Sequence, residues 1–145
     1  MLHSEFKTKW LWKWYAETKQ LWFQCVAWVK KYSEEVFWIK LKSFWWTALS
    51  WFLTWSPFKW LPFIKILNTP DFVPKVWDIV FFDKEPKNLY WHVWIVDVWT
   101  TVKTLKVLNQ NMKTWTWHWK WDEFSISTFN YLKPKCLWVY RCTKF

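Results

Sequence analysis

Hydrophobic positions follow two rhythms along this chain, and the change comes near Val76. Val26, Val29 and Tyr32 recur at three-residue steps, with Lys30 and Lys31 on the other side. No proline or glycine interrupts them, so the spacing predicts a helix over about 24–37. Phe44, Ala48, Leu49 and Phe52 repeat the rhythm and predict a second, shorter helix within 40–54. Residues 1–19 are polar and basic and read as a frayed lead-in with a short helix. Pro57, Pro62, Pro70 and Pro74 argue against regular structure through most of 56–75, a long connection of the kind that carries binding loops.

Beyond Val76 the rhythm is that of strands. Residues 78–82 are apolar, β-branched or aromatic after the opening aspartate, and turn chemistry at 83–88 ends them. Residues 90–98 and 103–111 form the next two expected strands, with a turn at 100–104. Leu105, Val107, Asn109 and Asn111 share one face of the latter, and Lys106, Leu108 and Gln110 the other. Two further strands are expected at 124–129 and 137–141. Helices followed by hairpin-linked strands predict an α+β domain with an antiparallel sheet. At 145 residues the chain is one domain, read as a lead-in over 1–20 and a globular unit over 21–145.

Composition changes this picture in one respect. The chain has 20 tryptophans and no glycine, against ordinary glycine usage of roughly 7 %. Glycine serves positive φ and close backbone approach, which no other residue does cheaply. Tryptophans stand at places where a turn or close contact is expected, among them Trp45, Trp46, Trp77, Trp115, Trp117 and Trp119. The excess of one residue and the absence of the other have the form of a substitution rule.

The net charge of +10 is almost all lysine, Arg141 being the only arginine. Such a balance draws a domain to polyanions, whether nucleic acid, anionic lipid or an anionic cell wall, and equally serves as a solvated surface. Charges interrupt residues 1–19 too often for a secretory signal. No stretch reaches the roughly 18 apolar residues of a membrane span. Cys25, Cys136 and Cys142 are odd in number and widely spaced, which argues against a disulfide framework.

Chemistry gathers around Cys25. At the start of a helix its sulphur meets unpaired N–H groups and the positive end of the macrodipole, which favour the thiolate. A cysteine nucleophile needs a base, and His92 lies on the second expected strand. Asn109 and Asn111 are candidates to orient that base, with Asn109 preferred. Gln24 and the Cys25 backbone N–H are candidates for an oxyanion hole, only the latter with a clear physical reason. Cys136 and Cys142 read as packing residues, His118 as a loop residue and His3 as part of the tail. Asp78 reads as the fixture of a turn, and Asp97 as the partner of a lysine at the sheet edge. No cluster has metal-ligand spacing, so neither metal nor cofactor is expected.

Four blocks resemble the CHAP domain, the cysteine, histidine-dependent amidohydrolase/peptidase family. They are Phe23-Gln24-Cys25-Val26, Pro74-Lys75-Val76-Trp77-Asp78-Ile79-Val80-Phe81-Phe82, Trp91-His92-Val93-Trp94-Ile95-Val96 and Leu108-Asn109-Gln110-Asn111. They stand in the family's order and spacing across 21–141. In that family Trp22, Trp77 and Trp91 would be glycines, and Trp94 glycine or alanine. The resemblance implies a papain-like fold and cleavage of an amide bond in bacterial peptidoglycan, as amidase or endopeptidase. Such domains are common in phage endolysins and secreted wall hydrolases. Two features depart from the family. Asn109 stands where it often has glutamate, and Ala16, Thr18 and Ala27 stand where many members bind calcium through aspartates.

The expected partner is therefore cell-wall peptidoglycan, met by a monomer without nucleic acid and without stable membrane insertion. With no leader, a phage-encoded enzyme would reach the wall by another route. The alternative reading is a non-enzymatic, basic, aromatic-rich module that binds a polyanion or a membrane surface. The tryptophans follow no stripe that such a surface would need. Calcium prefers six to eight oxygens, and the segment before Cys25 offers Glu17 as its carboxylate. Wall lysis is thus expected to be unchanged in EGTA; loss in EGTA that calcium alone restores would contradict this.

Overall fold

The computed structural model describes residues 1–11, 13, 25–42, 48, 51, 58, 60–69, 71–83, 91–109, 125–130 and 136–144. Within these, α1 (His3–Trp10) and α2 (Cys25–Val36) precede β1 (Phe63–Leu67), β2 (Ile79–Phe82), β3 (His92–Val96), β4 (Thr104–Asn109), β5 (Ser125–Asn130) and β6 (Cys136–Cys142). The strands form one sheet in the order β1-β6-β2-β3-β4-β5. Every neighbouring pair is antiparallel. The expected α+β architecture, N-terminal helices on an antiparallel sheet, is the observed one.

The two faces of the sheet bury different residues. Ile79 and Phe81 of β2, Val93 and Ile95 of β3 and Leu108 of β4 pack with Val26, Val29 and Tyr32 of α2. Val80, Phe82, Trp94, Val96, Leu105 and Val107 form a second cluster on the reverse face. This two-sided burial explains why β2 is an unbroken apolar run, since a strand covered on both faces has no polar side. Lys30, placed by the pattern on the solvent side of α2, is buried instead. A lysine stem is itself apolar and can lie along a covered surface.

Residues 1–20, set apart in the sequence as a lead-in, contain α1, and α1 contributes to the main core. Phe6 is fully buried, its ring 4.8 Å from Tyr32 and 5.3 Å from Trp28. The Glu5 carboxylate accepts the Leu2 N–H at 2.8 Å at the start of α1, and Lys7 and Lys9 occupy its last turn. Both charges have the sign that complements the helix dipole. Of the helix expected within 40–54, Ala48 and Trp51 are helical and buried, while Lys40, Leu41 and Lys42 are not helical. The rest of that segment lies outside the described residues.

The proline-rich segment holds a strand that the sequence reading excluded. β1 lies between Pro62 and Pro70 and pairs with β6 from Phe63↔Cys142 to Leu67↔Trp138. Proline is excluded from central strands, but one standing just before a strand at the sheet's edge removes no ladder bond. β1 is such an edge. Its burial alternates weakly, so the pattern is masked by the neighbouring prolines.

His3 is not in a loose tail. Its Nδ1 lies 2.6 Å from the Tyr32 hydroxyl and its Nε2 2.9 Å from Asp97 Oδ1. Lys7 Nζ donates to Asp97 Oδ2 at 2.8 Å, so Asp97 does pair with a lysine, in a buried knot that ties α1 to the end of β3. Burial pushes the Asp97 carboxyl up, but donors from His3, Lys7 and the Val98 backbone outweigh it and bring it from 3.8 down to about 2. A carboxyl held below its unfolded value stabilises the fold above the unfolded pKa, and the contribution is lost as pH falls through the folded one. The window here runs from about pH 4 down to about pH 2, and the contribution is about 2 kcal/mol. Urea melts at pH 6 and pH 2 are expected to show the Asp97→Asn variant losing less stability across that range than the parent. Equal losses would show that Asp97 does not carry this dependence.

Candidate active site

Trp77, Asp78 and β2 fix the frame of the site. The Asp78 N–H reaches the Lys75 carbonyl at 3.0 Å, closing a tight turn, and the Lys75 N–H donates to Asp78 Oδ2 at 2.8 Å. Asp78 thus fixes the turn into the strand, and it also receives Arg141 Nε at 2.8 Å and Nη2 at 2.7 Å. This fork-to-carboxylate geometry joins β6 to the entry of β2 and sets the height at which β2 meets β3. Trp77, where the sequence resemblance calls for glycine, has φ of 81°.

β3 begins at His92, opposite Phe82 in the ladder with β2. α2 begins at Cys25 and leans on β3 with its N-terminal end. The Cys25 sulphur is buried in the core cluster that includes Val93, the residue after His92, and the Val93 backbone N–H acts to lower its pKa. The N–H groups of Val26 and of Cys25 itself act in the same direction, as at a helix start. The fold therefore brings the thiol of α2 to the end of β3 where His92 stands. Val93 and His92 are neighbours in the strand, with about 3.8 Å between their Cα atoms.

The electrostatics differ from the sequence expectation. Burial pushes the Cys25 thiol above its ordinary value of 9.0, and the three N–H donors pull it back without outweighing that effect. A helix start favours the thiolate, but here desolvation of the charge is the larger effect. Burial also pushes the His92 imidazole below its ordinary 6.5. Both directions favour the uncharged forms near neutral pH, a thiol at Cys25 and a neutral imidazole at His92. A neutral imidazole is the form that can take a proton.

His92 shares its strand face with Trp94, and the two rings are stacked with centroids 5.7 Å apart. Trp94 in turn lies 4.2 Å from Phe82 and is buried. Asn109 is the last residue of β4, 1 % exposed, one step past the Ile95↔Leu108 pair on the Trp94 side. It has the same parity on the sheet as Trp94 and His92, so the three share one face. Gln24, Asn111 and His118 lie outside the described residues, as do Ala16 and Thr18. Cys136 and Cys142 are buried thiols in β6, in keeping with a packing role. Among the described residues no group of three or more His, Cys, Asp or Glu could hold a metal ion. No helix among them is long and apolar enough to cross a membrane.

Two contributors were not legible in the sequence. The Val93 N–H is a backbone group, and no residue pattern marks it. The roles of His3 and Lys7 had a faint signal, since His3, Phe6, Lys7 and Trp10 share helical spacing.

The fold is similar to that of a solved structure, the wild-type endolysin LysIME-EF1, with a TM-score of 0.72 over 94 % of this chain and 15 % sequence identity. The chain spans 61 % of that endolysin's length. At this identity the likeness establishes the α+β fold alone. No protein-family model matches the chain, and no curated protein matches it.

The raised thiol has a direct consequence. Alkylation of Cys25 by iodoacetamide, followed by peptide mass spectrometry, is expected to accelerate with a midpoint above 9.0. A midpoint at or below neutrality would show a preformed thiolate–imidazolium pair instead.

Proposed function

We propose that the chain is a peptidoglycan hydrolase that cleaves an amide bond with Cys25 as nucleophile and His92 as base. The observation that carries this reading is the buried Cys25 at the start of α2, in one core cluster with Val93 of the strand that His92 opens. The order of the four CHAP-like blocks and the endolysin-like fold support the same substrate class. An interaction module has no need of a buried thiol at a helix start packed against a strand that opens with histidine.

In this mechanism His92 takes the Cys25 proton as sulphur attacks the amide carbonyl carbon. The tetrahedral oxyanion is held by N–H groups at the start of α2, with Gln24 as a further donor. On collapse the C–N bond breaks and His92 gives its proton to the leaving amine. Water, deprotonated by His92, then hydrolyses the thioester and restores the thiol. Asn109, or Asn111 in its place, orients the imidazole as a positioning residue. The domain works as a monomer on the wall, without metal.

Turnover of purified peptidoglycan, followed by amine release, tests this assignment. Cys25→Ser and His92→Ala are each expected to fall to near background, and the double variant no further, because the pair acts as a unit. Asn109→Ala is expected to be intermediate, while Cys136→Ser and Cys142→Ser keep most of the activity. A Cys25→Ser variant that folds by circular dichroism and turns over at the parent rate would refute the enzyme reading. It would leave the polyanion- or membrane-binding module in its place.

A further inference from the structure

Left-handed backbone sets four of the described tryptophans apart. Among the described residues the positive φ angles are 60° at Trp38, 68° at Trp60, 81° at Trp77 and 70° at Trp99, and every residue with positive φ is a tryptophan. For a bulky side chain this region is a genuine outlier, because Cβ crowds the neighbouring carbonyl. Each of the four has the backbone role that glycine fills. Trp38 follows the end of α2, where the Ser33 carbonyl accepts both the Phe37 N–H at 3.1 Å and the Ile39 N–H at 3.0 Å. A left-handed residue at a helix stop is most often glycine.

The other three occupy the third position of tight turns. The Leu61 N–H reaches the Phe58 carbonyl at 3.1 Å around Trp60, and the Asp78 N–H reaches Lys75 at 3.0 Å around Trp77. At Trp99 the Thr100 hydroxyl donates to the Asp97 carbonyl at 3.2 Å. Positive φ at the third position is the mark of a turn that demands glycine. The indoles gain little in return: Trp38, Trp60 and Trp99 are 78 %, 91 % and 81 % exposed.

Trp28 and Trp51 are the opposite case. Both are helical and fully buried. Trp28 meets Phe6 at 5.3 Å and Trp10 at 5.5 Å, and Trp51 meets Phe58 edge-on at 5.7 Å. These side chains fill core volume that glycine would leave empty.

We infer that the working protein carries glycine at positions 38, 60, 77 and 99 and tryptophan at 28 and 51. One decoding difference produces this division. TGA is tryptophan in some genetic codes and glycine in others, whereas TGG is tryptophan throughout. A gene that writes every glycine as TGA, translated with TGA as tryptophan, yields a chain with no glycine and many tryptophans at glycine positions. The gene then belongs to a translation system that charges glycine to a UGA-reading tRNA, and the cells in which the protein is made share that code.

Coding DNA and peptide mass mapping of the protein from its natural source test this together. TGA codons and glycine-containing peptides are expected at 38, 60, 77 and 99, with TGG and intact tryptophan at 28 and 51. TGG at the four turn positions overturns the inference, and so does tryptophan in those peptides or glycine at 28 or 51. Recombinant chains give a second readout, independent of activity. The combined Trp38→Gly, Trp60→Gly, Trp77→Gly and Trp99→Gly variant is expected to melt higher than the chain as written by roughly 4 °C or more. Trp28→Gly and Trp51→Gly are each expected to melt lower. A combined variant that melts at or below the chain as written overturns the inference.

Discussion

The packing of α2 against β3 is the constraint on which the rest depends. Val26, Val29 and Tyr32 lie against the face that carries Val93 and Ile95, and all five are essentially inaccessible. Burying a side chain of this size contributes roughly 1.5–3 kcal/mol, so the contact fixes both the height and the rotation of the helix. Its first residue then meets the first residues of the strand. The nearness of Val93 to the buried Cys25 follows from that placement rather than from any local preference of the cysteine. Slide α2 by one turn and the thiol faces a different part of the sheet.

Two charged clamps hold this arrangement at the borders of the central strands. Asp97, just past the end of β3, is bound by His3 and Lys7 of α1. Asp78, just before β2, is bound by Arg141 of β6. Both carboxylates are buried and both are met by several donors, the condition under which a buried charge is tolerated. Removing one partner would leave an uncompensated charge inside the fold. The ends of β2 and β3 are therefore fixed by polar contacts, while their middles are fixed by hydrophobic ones.

At the site itself two familiar effects compete. The start of a helix favours a thiolate, and exclusion of water disfavours any charge. Here burial is the stronger, for Cys25 and His92 alike. An uncharged thiol and imidazole would suit the proposed nucleophile, which gives up its proton as it attacks. It also keeps the resting thiol less reactive than a standing thiolate. The Trp94 indole beside His92 adds to that exclusion of water.

The sequence by itself determined the element types wherever the periodicity was unbroken. The helix that opens at Cys25, the apolar strand at Ile79–Phe82, the histidine strand and the alternating faces of Leu105, Val107 and Leu108 were all legible, because burial on a helix or strand imposes its own spacing. So were the turn role of Asp78 and the misfit of tryptophan at Trp77. Only the tertiary structure decided what depends on partners distant in the chain. β1 exists because β6 offers it an edge, His3 is ordered because Asp97 lies 94 positions away, and Lys30 is buried where its pattern put it in water. The same holds for the thiol. A helix start is visible in one stretch of residues, whereas the burial that outweighs it comes from packing against a strand far along the chain.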